Sequence, residues 1–141
     1  MKTKLFSFLV LGITILSFSS CDPGLSYSKV ILNDSKYDIK IISVDTPRAN
    51  VYNVYEFDTL LVAKHSSEVI ASEGGIGAIA TYSSCNQFND SIYAIIVGFD
   101  SLHLNIDISD SMNWTYLIIE ETNNGGGTCE CRLKITNSMI K

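Results

Sequence analysis

Four cysteines and two histidines are the side chains of this 141-residue chain with the chemistry to act as nucleophile, proton carrier or soft metal ligand. Cys21 is set apart by what precedes it. Lys2 and Lys4 open the chain, an apolar run covers 5–18, and Phe18-Ser19-Ser20-Cys21 then gives the small-residue approach to a cysteine that a lipoprotein signal peptidase cleaves. The run is shorter than the roughly 20 residues of a spanning helix. The expectation is therefore a signal peptide over 1–20 and lipid on the Cys21 sulfur and freed amine, since about two acyl chains anchor stably where one is marginal. An ordinary secretory signal is the alternative, but it wants an Ala-x-Ala-like site and none is present.

Cys85, Cys129 and Cys131 remain. Beyond the inner membrane the compartment is oxidising, so a disulfide is the first expectation. Cys129 and Cys131 alternate with Glu130 and Arg132 in a segment continued by Leu133 and Ile135, which points both sulfurs to one side of a strand, the core side. A bridge from Cys85 to either of them would close a loop of roughly 45 residues, worth about 3 to 4 kcal/mol in the loop-entropy model. The leftover thiol reads as a small buried hydrophobe. A three-thiolate metal site lacks the usual fourth-ligand signature, so no metal and no cofactor is expected.

Catalytic signatures are missing. The chain has no G-x-S-x-G elbow, no H-E-x-x-H and no P-loop; Gly74-Gly75-Ile76-Gly77 lacks the following lysine and hydroxyl and reads as a turn between strands. His65 sits in a polar turn and His103 on the polar phase of an alternating stretch, neither patterned with a nucleophile or acid. Asn105, Asp107, Asp110 and Asn113 offer oxygen ligands without the ordered spacing of a calcium loop. No catalytic residue is assigned.

The elements that position these residues are strands. Period-2 alternation marks 37–41 and 102–108, and 92–97 is an unbroken apolar run that suits a central strand buried on both faces. Further strands are expected at 27–32, 51–57, 60–63, 68–71, 76–82, 114–121 and 128–136. Gly98-Phe99-Asp100-Ser101 reads as a hairpin joining 92–97 to 102–108, and Asn123-Asn124-Gly125-Gly126-Gly127 as the turn before the last strand. No helical periodicity competes outside the leader. The fold class expected is all-β: a two-layer antiparallel β-sandwich of eight to ten strands, immunoglobulin-like in one version, with a small β-barrel as the alternative. The layout is a leader over 1–20, a lipidated cysteine and short tether over 21–26, and one domain over 27–141.

Without the leader, 121 residues remain with 8 basic and 15 acidic side chains, a formal charge of −7. That balance argues against nucleic acid and against electrostatic binding to anionic headgroups, so attachment to the membrane would be covalent. Asp58-Thr59-Leu60, Asp90-Ser91-Ile92, Asp100-Ser101-Leu102 and Asp110-Ser111-Met112 share one form, acid then hydroxyl then apolar residue. It resembles the O-glycosylation sequon of Bacteroidetes, which would place sugar on Thr59, Ser91, Ser101 and Ser111; the competing explanation is turn chemistry at strand starts. The stretches Ile31-Leu32-Asn33-Asp34-Ser35-Lys36-Tyr37-Asp38-Ile39-Lys40-Ile41, Asp90-Ser91-Ile92-Tyr93-Ala94-Ile95-Ile96 and Arg132-Leu133-Lys134-Ile135-Thr136 together resemble small lipoproteins of Bacteroidetes. The resemblance implies a β-rich exported domain and brings no catalytic residues. It departs in one respect: only Asp22 stands where that group carries an acidic export cluster after the cysteine.

The function expected is non-enzymatic: a lipid-anchored protein of the cell envelope, most consistent with the outer membrane, that binds a protein or a glycan. Tyr52, Tyr55, Trp114 and Tyr116 are the candidate binding aromatics, because rings give contact area at low entropic cost and stack on sugars. The alternatives are an inhibitor or immunity-type protein presenting the segment 72–77 as a rigid loop, and a hydrolase whose site is assembled from distant residues.

Overall fold

A computed structural model describes residues 24–43, 59–77, 79, 84–85 and 92–141. Among these residues seven strands run in chain order as β1 (Gly24–Asp34), β2 (Ile39–Ser43), β3 (Thr59–Val62), β4 (Ser66–Ile76), β5 (Ile92–Ile96), β6 (Thr115–Glu121) and β7 (Gly127–Thr136). They form two packed sheets, β4-β1-β7-β6 and β3-β2-β5. The fold is an all-β sandwich, and among the described residues no barrel closes. The expected strands at 51–57 and across most of 76–82 lie outside the described residues.

Alternation decides which side chains enter the core. Tyr27, Ile31 and Asn33 of β1, Cys129, Cys131, Leu133 and Ile135 of β7, and Ile39 and Ile41 of β2 are all buried. Between them stand Ser26, Lys40 and Lys134, which face solvent. One irregularity interrupts the β1–β4 ladder: Lys29 pairs with Ala71 but Val30 with Val69, so Ile70 is an extra residue. The bulge lets the consecutive pair Ile70 and Ala71 both be buried. It sits beside Lys29, which is fully buried with its ammonium 4.4 Å from the centre of the Trp114 ring.

Several expectations need correction. β1 lies inside its sheet, antiparallel to β4 and parallel to β7 over ten residue pairs. An immunoglobulin constant sheet instead keeps its first strand at an edge, so the immunoglobulin-like order does not apply. β1 also starts at Gly24, inside the stretch expected as a tether, because Leu25 already pairs with Gly75 and Gly127. Gly74 and Gly75 belong to β4 rather than to a turn; pairing with Leu25 and Ser26 outweighs the low strand propensity of glycine. The segment 72–77 is therefore mostly strand edge and not the projecting loop an inhibitor reading requires.

β5 is the largest departure. Among the described residues it pairs with β2 alone, and with Tyr93 and Ile95 exposed it is not buried on both faces. Gly98 does turn the chain, at φ 78°, yet the following segment does not return as a paired strand. Across 102–108 the burial still alternates, with Leu102, Leu104, Ile106 and Ile108 inward, while the backbone instead reaches the carboxyl end. There Leu104 bridges Ile140, and the His103 amide donates to the Lys141 carbonyl at 2.8 Å. The period-2 signal in that segment reported burial and not ladder pairing.

The sheets are joined at one corner by Asn33. Its amide nitrogen donates to the carbonyls of Tyr37 at 2.8 Å, Val62 at 3.1 Å and Ala63 at 3.1 Å, and its oxygen accepts from the Ser35 amide and hydroxyl. At the other end the turn 122–126 joins β6 to β7, with Gly125 at φ 84°. Gly127, at φ 143°, has no room for a side chain: an added Cβ would meet the Glu120 carbonyl and come within 2.6 Å of Ile79 Cδ1.

Two substitutions test these supports. Asn33→Ala leaves several buried carbonyls and the Ser35 hydroxyl without their partner and should cost about 3 kcal/mol or more in denaturant unfolding. Gly127→Ala should cost about 2 kcal/mol through backbone strain and the close approach to β6, whereas Gly75→Ala, where a Cβ meets nothing within 4 Å, should cost well under 1.

Candidate functional site

Among the residues proposed from sequence, the cysteines are resolved most fully. Cys85 and Cys131 form a disulfide across a sequence separation of 46, and Cys129 is a free, fully buried thiol. The β7 pleat places both sulfurs of the Cys-x-Cys on the core side, which leaves either free to meet Cys85 as far as sequence is concerned. Cys129 instead contacts the Ser26 carbonyl at 3.7 Å and lies beside the Tyr116 hydroxyl; burial pushes its thiol pKa upward, which disfavours the reactive thiolate. The Tyr116 hydroxyl is itself buried, and desolvation, with Cys129 beside it, pushes its pKa up to about 12.

The aromatic platform does not form from Trp114 and Tyr116. Trp114 is only 6% exposed; its ring lies under Lys29 and its Nε1 donates to the Ile108 carbonyl at 2.9 Å. Tyr116 faces inward opposite Cys131. Alternation had placed these rings on a strand but could not say which phase was core, and the amphipathic indole was satisfied internally. Tyr52 and Tyr55 lie outside the described residues, as do Cys21 and Ser91.

His65 caps the turn after β3 at φ 57° and stands 3.9 Å from Asp34, which is also paired with Lys134 at 3.0 Å. The Lys134 ammonium, and then His65, hold the Asp34 carboxyl below its usual value. His103 is exposed near the carboxyl end. Asp107 and Asp110 spend their carboxylates on local turns, accepting from the Ser109 and Met112 amides at 2.9 Å. Among the described residues no cluster of histidine, cysteine and acidic groups has the makings of a metal site.

Thr59 and Ser101 are exposed, as glycosylation would require, and Ser111 is half-buried in a short 3₁₀ turn capped by Asp110.

What the fold assembles instead is an apolar face. In the small sheet, Ile39, Ile41, Val62, Ile92 and Ile96 fill the core, so the alternate residues turn outward. Register places Leu61, Lys40 and Ile95 in one row across β3, β2 and β5, and Thr59, Ile42 and Tyr93 in the next. Leu61 is 53%, Tyr93 47% and Ile95 43% exposed. Val97 and Phe99, both exposed, carry the patch past the end of β5, where the Phe99 ring meets Tyr37 edge-on at 5.2 Å. Along the open side of β5 runs a cleft of about 150 Å³ lined by Ile92, Tyr93, Ala94, Leu104, Ile106, Asp107 and Ile108. Neither histidine lines it. The signal for this face was present in sequence as apolar residues on both phases of 92–97, which equally describes a doubly buried strand and a singly buried strand with a sticky outer face.

No protein-family model, curated protein or solved structure matches the chain.

Two measurements check the buried groups. With Cys21 replaced by Ser, alkylation should add nothing to the folded protein, label Cys129 once it is unfolded without reductant, and label Cys85 and Cys131 as well once the bridge is reduced; loss of that bridge should cost about 4 kcal/mol. Because the folded Tyr116 holds its proton to about pH 12 while the unfolded side chain releases it near 10, stability should fall as pH rises through that window, and Tyr116→Phe should flatten this part of the profile.

Proposed function

We propose that the mature chain is a lipid-anchored protein of the cell envelope that acts without catalysis, binding a protein partner through the outer face of its small sheet. The observation that carries this is the outer face formed by Leu61 and Ile95 on either side of Lys40, with Tyr93 in the next row and Val97 and Phe99 beyond the end of β5, exposed on a chain with a strong net negative charge. Large apolar side chains grouped on an exposed face are costly for solubility and mark interaction surfaces. Its composition favours protein over glycan. Sugars are held by flat rings flanked by hydrogen-bonding groups, and the largest ring, Trp114, is in the core. Aliphatic Leu61, Ile95 and Val97 suit an apolar partner surface, and Lys40 in their midst supplies one charge for orientation.

Anchoring rests on Phe18-Ser19-Ser20-Cys21 and the basic, apolar leader before it. Covalent attachment agrees with a surface too acidic for electrostatic adhesion to anionic lipid.

Cys21→Ser should move the protein from the membrane fraction to the soluble fraction. A photo-crosslinking residue at Ile95 should give a discrete adduct in intact cells that Tyr93→Asp abolishes without altering the thermal transition, while the same probe at Lys134 on the opposite sheet gives none. Equal crosslinking from both positions, or none from Ile95, would remove the small sheet as the binding face.

A further inference from the structure

The lipid anchor, if Cys21 carries it, reaches the domain at one particular end. β1 begins at Gly24, so only Asp22 and Pro23 separate the lipidated residue from the ladder. Three residue steps span at most about 10 to 11 Å, and the proline ring fixes one of the intervening dihedrals. Gly24 pairs with Ile76, and Leu25 with Gly127. In the large sheet, the end within reach of the bilayer therefore includes the last residues of β4, the turn 122–126 and the end of β6.

That end has an unusual surface. Ile76 is 77% exposed, although its strand partner Gly24 offers nothing to cover it. An added Cβ at Gly24 or Gly75 would meet no atom within 4 Å, so packing inside the protein does not demand glycine there. Bare backbone of this kind permits close approach by something outside. The described residues of this end include no lysine or arginine, while Glu120 and Glu121 are exposed.

From the anchor position, resting on the lipoprotein reading above, we infer that this end of the sandwich docks against the bilayer that holds the anchor, with the Ile76 side chain at the headgroup–acyl boundary and the 122–126 turn beside it. β1 then stands away from the membrane. Ten steps of about 3.3 Å put its far end roughly 30 Å out, together with the turns 35–38, 63–65 and 97–101. The small sheet is presented sideways with Phe99 at its outer limit.

The test uses the full chain, lipidated in a bacterial host, extracted in detergent and reconstituted into vesicles of phosphatidylcholine brominated near the headgroup. Three proteins are compared, the unsubstituted chain, Ile76→Trp and Phe99→Trp, with buried Trp114 as their common background. Docking predicts that the emission added by Ile76→Trp is mostly lost to bromine quenching, while that added by Phe99→Trp and the Trp114 background persist. If the proteins float with the vesicles but both added tryptophans are quenched alike, or neither is, the anchor stands and the docking is wrong. If the chain carries no acyl mass and does not float, the anchor itself fails and the docking falls with it.

Discussion

The buried amide of Asn33 is the constraint from which the rest of the sandwich follows. One side chain in β1 satisfies carbonyls just before β2 and at the end of β3, and its oxygen fixes the Ser35 turn between the sheets. Those carbonyls lie where strands end and the chain changes layer, the places where backbone groups are left without ladder partners. An apolar residue of the same size would fill the space yet leave them unpaired, and unpaired buried carbonyls cost more than the hydrogen bonds gain. Once the corner is fixed, β2 must run back down the opposite layer, and Ile39 and Ile41 are directed at Ile31, Leu133 and Ile135.

The second support is β7. It lies parallel to β1 through ten residue pairs, carries four core side chains on alternate positions and holds the disulfide to Cys85 at its midpoint. Parallel pairing of the first and last described strands is a long-range contact with a large loop-closure cost. The bridge reduces that cost for the segment between Cys85 and Cys131. Cys129, in the same pleat, serves as a small apolar side chain against Tyr116, and its raised pKa keeps it out of exchange with the neighbouring bridge.

Where the sequence was legible, one face of a strand carried the information. The alternation of 128–136 identified the core face of β7 and the side on which both cysteines lie, and the glycine-rich turn before it was readable from the positive φ it needs. The pairings were not legible. Leu102 to Ile108 alternate as a strand would, yet the burial they encode is met by packing and by a bridge to Ile140. Gly74 and Gly75 look like turn residues and are held in β4 by main-chain pairing alone. The choice of Cys131 over Cys129 depends on register against Cys85, which no local pattern carries. At 92–97 the difficulty is one of principle: a strand buried on both faces and a strand with one binding face have the same composition.

That ambiguity bears on function, because an exposed apolar edge strand is a hazard unless something controls it. The small sheet carries its own restraint. Lys40 sits between Leu61 and Ile95, so a second copy laid face-on in register would bring two ammonium groups together in an apolar setting, whereas a carboxylate at that point would be matched. β5 is also short, at five residues, which limits how much ladder an indiscriminate strand could form. Thr59 lies in the adjacent row, and a sugar there would shield Ile42 and Tyr93. A face that is apolar at its rim and charged at its centre would, on the binding role proposed above, discriminate among partners by refusing most of them.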